Sequence, residues 1–155
     1  MRRRTQSGLT LVELIVAFTL MLILTSMAVP LARAKVRAQR ERALRYALDD
    51  MRLAIDKYKD YCDQGVFGPV KQGTDCWPET LESLVEGIKI GSSADDKKVK
   101  LLRRIPRDPF SNTAEWGMRS DQDDPKSQSW GGQNVFDIYS KTTEKGSDGT
   151  PYAEW

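Results

Sequence analysis

Histidine is absent from the 155 residues of this chain, which removes the commonest general base and metal ligand. Cysteine occurs twice, at Cys62 and Cys76, so no Cys–His pair exists. A Gly-rich phosphate loop and an internal repeat are also missing. Without these, an enzyme is the weakest reading. Large apolar residues are scarce after position 91, where Gly, Asp, Lys and Ser dominate. A soluble part built from that composition has a small core. Strong net charge is lacking as well: the total is +2, and without Arg2, Arg3 and Arg4 there are 21 basic against 22 acidic residues. Nothing there points to a nucleic-acid partner.

The one long apolar run follows those arginines, in "SGLTLVELIVAFTLML" from residue 7. Leu9 to Leu31 is 23 residues, enough at about 1.5 Å per residue to span a hydrocarbon core of about 30 Å. Glu13 lies five residues into it. A carboxylate at such a depth costs about 2.5–3.5 kcal/mol on insertion scales and usually has a function. Three readings compete. A secretory signal peptide needs its small residue after the apolar run, whereas Gly8 precedes it. A plain membrane anchor accounts for the length and leaves Glu13 without a purpose. Cleavage after Gly8, with the apolar run kept as the mature N-terminus, accounts for both.

Downstream, Pro30 falls inside a helical pattern, where it removes a hydrogen bond and loosens or kinks the helix. Leu44, Ala47, Leu48, Met51, Ile55 and Tyr58 then recur at the spacing of an amphipathic helix. One long helix is predicted from about Leu9 to about Tyr61, greasy all round in its first half and striped in its second. Arg33, Lys35, Arg37, Arg40, Arg42 and Arg45 follow the apolar run. They read as a solvated face or headgroup contacts, although the positive-inside rule would put that side in the cytoplasm. In an oxidising compartment Cys62 and Cys76 suggest one disulfide, with two free thiols as the alternative. It would close a loop rich in Gly and worth about 3 kcal/mol by chain entropy. "WPETLESLVEGI" predicts a short helix with Leu81, Leu84, Val85 and Ile88 as its apolar face and a stop near Gly87 or Gly91. A polar loop, "GSSADDKKVK", comes next. Val135, Phe136, Ile138 and Tyr139 suit a strand. Asp121, Asp123 and Asp124 read as a solvated loop or a weaker cation site.

"SGLTLVEL" resembles the leader site of type IV pilins and type II secretion pseudopilins, a glycine followed by Phe-Thr-Leu-x-Glu, with Leu9 in place of the usual phenylalanine. The resemblance implies that a prepilin peptidase cuts between Gly8 and Leu9 and N-methylates Leu9. Glu13 would then neutralise the new α-amino group, on its own or a neighbouring subunit, since a buried charge is tolerable when paired. The alternative is that Glu13 complements the helix dipole. Thr10 completes the motif, and Pro30 would let the helix loosen during assembly.

A second segment, "LLRRIPRDPFSNTAEW", resembles the stretch of the major pseudopilin that reads Leu-x-x-(Leu/Ile)-Pro-x-Asp-Pro-(Trp/Phe)-(Gly/Ser)-Asn. Asp108-Pro109 and Ser111-Asn112 are also turn chemistry leading into a strand. The end of the chain, "KTTEKGSDGTPYAEW", resembles the family's C-terminal loop, which in many members binds calcium. The resemblance implies Ser140, Ser147, Asp148 and Glu154 as ligands, with backbone carbonyls completing the six to eight oxygens calcium takes. A plain turn is the alternative, as this loop is shorter and less acidic than the family's.

The expectation is an α+β, pilin-like fold: a long N-terminal helix, its first half transmembrane, packed on a small head with a short helix, a small antiparallel sheet and long loops. Residues 1–8 would be a cleaved leader, 9–32 the transmembrane and filament-core half, and 33–155 a periplasmic head. The resemblance implies a non-enzymatic subunit of a type II secretion pseudopilus, in the bacterial inner membrane as a single-pass protein and in a periplasmic fibre when assembled. Its implied partners are further copies of itself, minor pseudopilins, the prepilin peptidase and the inner-membrane assembly platform with its ATPase. A type IV pilus pilin and a membrane-anchored periplasmic binding module are the alternatives.

Overall fold

A computed structural model describes residues 10–69, 72–91 and 97–155, without the Met27 side chain. Helix α1, Leu11–Asp63, is followed by helix α2, Leu81–Glu86. Four short strands come next: β1 (Ile88–Lys89), β2 (Lys98–Val99), β3 (Gly117–Arg119) and β4 (Asp137–Tyr139), and then a 3-10 turn, Tyr152–Glu154. The architecture is α+β, with a long apolar N-terminal helix as the sequence predicts. By compactness the chain divides into two units, Met1–Gln39 and Arg40–Trp155.

In the first unit α1 starts at a cap. The Thr10 hydroxyl accepts the Glu13 backbone N–H at 3.3 Å, and the Thr10 carbonyl accepts the Leu14 N–H at 3.2 Å. Thr-x-x-Glu is the spacing of a capping box, a local signal in "TLVE" distinct from the leader resemblance. The helix runs through Pro30 without a break. Hydroxyls inside the apolar run bond to the helix itself: Thr19 to the Ile15 carbonyl, Thr25 to Met21 and Ser26 to Ile23, each at 2.8 Å. This back-bonding leaves those hydroxyls with a partner where water is absent. Among the described residues, α1 is the one helix long and apolar enough to cross a membrane.

The second unit is organised by the C-terminal part of α1. Leu44, Leu48, Met51, Ala54 and Ile55 are buried, and Ala47 and Tyr58 pack at the margin. Against them lie Leu81 and Leu84 of α2, Leu102, Trp116, Val135, Ile138 and Tyr152. Each large apolar side chain contributes about 1.5–3 kcal/mol on full burial. α1 ends in a Schellman motif: the Val66 N–H donates to the Tyr61 carbonyl at 3.0 Å and the Gly65 N–H to Cys62 at 2.8 Å. Gly65 takes φ 73° there, a left-handed conformation that costs glycine least.

Cys62 and Cys76 are joined, with their Cα atoms 5.5 Å apart. The loop they close is also tied by Lys59, whose ammonium donates to the Asp75 carbonyl at 2.9 Å. Phe67, in that loop, packs on Tyr58 with ring centroids 5.1 Å apart.

The strands depart from expectation in two places. Ile88 lies in β1, not on the face of α2, because the helix stops at Gly87. Lys98–Val99, inside the expected polar loop, pairs antiparallel with β1 through Ile88↔Val99. Among the described residues, the expected small antiparallel pairing is present as two two-stranded sheets. In the second, β3 and β4 pair with Gly117 opposite Tyr139, and the expected strand at 135–139 is shortened to Asp137–Tyr139. The Val135 N–H donates instead to the Pro78 carbonyl at 2.8 Å. Glycine is required at 117, where a Cβ would lie 2.2 Å from the Tyr139 ring.

The long connection between β3 and β4 is held by the acidic run. Asp123 accepts the backbone N–H of Ser120 at 2.7 Å and of Gly131 at 3.0 Å. Asp121 accepts from the Asn134 amide at 2.9 Å, and Asp124 from the Lys126 N–H at 2.8 Å. Buried Asn134 also donates to the Thr74 carbonyl at 3.1 Å, joining this connection to the disulfide loop. These bonds to Ser120 and then Gly131 hold the Asp123 carboxyl below its ordinary range.

Two outcomes are expected. Reducing the disulfide, or replacing both cysteines by serine, should lower the unfolding free energy by about 3 kcal/mol. Denaturant titration with and without reductant measures it, and coincident curves would contradict the assignment. For Asp123 the folded pKa is depressed, so its contribution is present above about pH 4 and lost as pH falls through the lower folded value. Protection of the Ser120 and Gly131 amides, taken relative to an unstructured peptide at the same pH, should therefore fall on acidification below about pH 4, and Asp123→Asn should remove that dependence.

Candidate functional site

Two regions carry the predicted functional residues. The first is the start of α1. Gly8 and Leu9, the expected processing and methylation positions, lie outside the described residues. Thr10 is the cap and Glu13 the acid of the first helical turn. A negative side chain there is favoured by the helix dipole, by about 0.3–1 kcal/mol at an exposed site. From this turn onward Leu11, Leu14, Ile15, Phe18 and Leu22 are exposed, and none of the most apolar window of the helix is buried within the chain. A run of this size needs a covering, from lipid or from other protein.

The second region is the C-terminal segment of the head. "DPFSN" forms a pinned corner beside it. Asp108 is fully buried, and its carboxylate accepts the Phe110 N–H at 2.8 Å and the Ser140 hydroxyl. The Asn112 N–H donates to the Asp108 carbonyl at 2.7 Å, with Asn112 in the left-handed region at φ 58°. Phe110 stacks on Tyr152 at 4.3 Å between centroids, and the Trp116 indole donates to the Pro106 carbonyl at 3.0 Å. The motif thus places an aromatic ring under the C-terminal turn.

The four residues expected to hold calcium are not brought into one shell. Ser140 is buried on Asp108. Ser147 donates its backbone N–H and its hydroxyl to the Glu41 carboxylate of α1, at 2.9 and 2.8 Å. Asp148 accepts the Thr150 N–H at 3.0 Å, as an ordinary turn aspartate does. Glu154 lies 3.7 Å from the Lys126 ammonium. Asp148 and Glu154 line a cavity of about 410 Å³ together with Asp49, Arg45 and Arg52. Ser140 lines a different one, with Thr142 and Ala153. Among the described residues, no group of three or more acidic or cysteine side chains is arranged to hold a metal. As placed here, the set does not fit the ion, and the alternative of a plain turn describes the geometry.

Residues that sequence reading missed do hold this segment. Arg119, buried in β3, donates to the Ala153 carbonyl at 2.8 Å, the Ser127 carbonyl at 2.9 Å and Asp137 at 3.2 Å. Arg52 of α1 donates to the other Asp137 oxygen at 2.8 Å and to the Trp155 carbonyl at 2.7 Å. Asp137 thereby bridges two guanidiniums. The signal available in the sequence was weak: an acid, Glu41, inside a basic run, and an arginine inside a strand.

Residues 3–29 match the family described as the prokaryotic N-terminal methylation motif. No curated protein and no solved structure gives a match. The matched stretch contains the arginines, Gly8, Glu13 and the apolar start of α1. The start of the chain thus carries a prokaryotic N-terminal methylation motif.

Proposed function

We propose that this chain is the major pseudopilin of a type II secretion system, a structural subunit whose helices pack into a periplasmic fibre that moves folded proteins through an outer-membrane channel. The observation that carries the assembly reading is the exposed apolar half of α1 with a single acid in its first turn, on a methylation motif. The order of features supports the choice of secretion over a type IV pilus: leader site, interior Pro30, the Asp-Pro-Phe-Ser-Asn corner and a tryptophan-containing C-terminal segment. A disulfide that closes residues 62–76 at the end of α1, with no cysteine in the C-terminal loop, supports it further. The prepilin peptidase would cut at Gly8–Leu9 on the cytoplasmic side, and the head would stand in the periplasm. Insertion would need the assembly platform and its ATPase, with minor pseudopilins as further fibre subunits.

Glu13 then has a physical task. Cleavage leaves a positive α-amino group at Leu9 in an apolar fibre core, and the Glu13 carboxylate neutralises it there. Capping by Thr10 sets the first turn of α1, so the acid is presented from a formed helix. Pro30 removes one helical hydrogen bond and eases local unwinding on leaving the bilayer.

Glu13→Val should spare insertion and processing and block fibre assembly. Removing one member of a buried ion pair costs about 3–5 kcal/mol, a loss of about 10² to 10³ or more in each docking equilibrium. Shearing of fibres from overproducing cells measures assembly, and N-terminal sequencing of the membrane fraction should begin at methylated Leu9. Normal fibres from the valine variant would overturn the role of Glu13. Deleting the gene should abolish exoprotein secretion; loss of surface pili with secretion intact would favour the pilin alternative.

A further inference from the structure

We infer that Glu41, Arg52 and Arg119 close the C-terminal segment of this head in the place of a divalent cation, so that its folding is independent of calcium. The inference does not rest on whether the fibre serves secretion or a pilus.

Closing a strand end onto a polar tail requires partners for the tail's amides and carbonyls, because the tail has little apolar surface to bury. A calcium ion does this by collecting six to eight oxygens at one point. Here the same demand is met by one carboxylate and two guanidinium groups. Glu41 is 9% exposed and reaches the segment from α1 as an acceptor. Its carboxylate takes the Ser147 N–H, the Ser147 hydroxyl and the Tyr152 hydroxyl, the last at 3.0 Å. Bonds to an ionised acceptor are about twice as strong as neutral ones. On the carbonyl side, Arg119 takes Ala153, and Arg52 takes Ile138 at 3.3 Å and Trp155 at 2.7 Å. Three backbone oxygens of this region therefore accept from guanidinium groups.

The acids of this region already face basic side chains. Arg45 and Arg52 line the cavity that holds Asp49, Asp148 and Glu154, and Lys126 stands beside Glu154. The turn itself closes without help: the Gly146 N–H donates to the Thr150 carbonyl at 2.7 Å and the Gly149 N–H to Gly146 at 3.0 Å. Lys145 and Pro151 form an isolated bridge across its base. The Tyr152 ring beneath is held between Phe110 and Trp155.

The test uses the full chain in detergent micelles. Thermal unfolding is followed by circular dichroism in chelator and in calcium at about 5 mM, above the affinity range of weak extracellular sites, about 10⁻⁴–10⁻³ M. The midpoints should agree within about 1 °C, and a rise of several degrees in calcium would overturn the inference. Hydrogen exchange of the peptide spanning residues 144–155 is read in parallel. In Glu41→Ala it should quicken at least about tenfold, equally with and without calcium. Should Glu41→Ala not fold, Ser147→Ala removes the hydroxyl bond alone and should still quicken exchange of that peptide while leaving the Leu81–Glu86 helix unchanged. Wild-type exchange rates in Ser147→Ala and in any folded Glu41→Ala would show that the carboxylate does not hold the segment, and would also overturn it.

Discussion

The stripe of Leu44, Leu48, Met51 and Ile55 on α1 is the surface on which the head is laid. Two short sheets of two strands each, a helix of six residues and long connections have little cohesion of their own, since an isolated hairpin is marginal in water. The short helix, the second sheet and the final turn reach the stripe with one or two apolar residues each: Leu81 and Leu84 from α2, Ile138 from β4, Trp116 before β3, Tyr152 from the final turn. The apolar contacts hold these pieces down but say little about where their backbone runs.

Polar groups supply that. Asp137 lies between Arg52 and Arg119 and so fixes β4 to α1 and to β3 at once. Asp108 joins the "DPFSN" corner to the end of β4 through Ser140. Asn134 ties the disulfide loop to the connection before β4. Most of these are partly or fully buried, where an unpartnered group would cost about 1–3 kcal/mol or more. Removal of one partner is therefore felt more than the net worth of its bond. A head with a small core uses such ties where a larger domain would use apolar area.

The start of α1 presents the same chemistry in another setting. Thr10 and Glu13 form the local pattern that begins a helix, and Glu13 is also the single acid of a long apolar stretch. The first property needs only neighbouring residues. The second acquires meaning only when the helix is surrounded by lipid or by other helices, where an unpaired charge is disfavoured.

Much of this was legible in the residues themselves. The amphipathic stripe, the short helix at Leu81 and the turn chemistry of "DPFSN" follow from periodicity or from local conformational preference, which act over a few residues, and the cysteine pair from the compartment that the N-terminus implies. Where strands would pair was less legible: Ile88 continues a helical pattern, and only the stop at Gly87 and the partner Val99 make it a strand. The C-terminal loop was legible only as two alternatives, an ion site or a plain turn. Ser140, Ser147, Asp148 and Glu154 look like oxygen donors in sequence, but tertiary structure sends Ser140 to Asp108 and Ser147 to Glu41, and places Asp148 and Glu154 beside arginines. Glu41 is 106 residues from Ser147. No local rule reports a contact at that separation, because it is set by how the segment crosses the helix, and that is decided by packing.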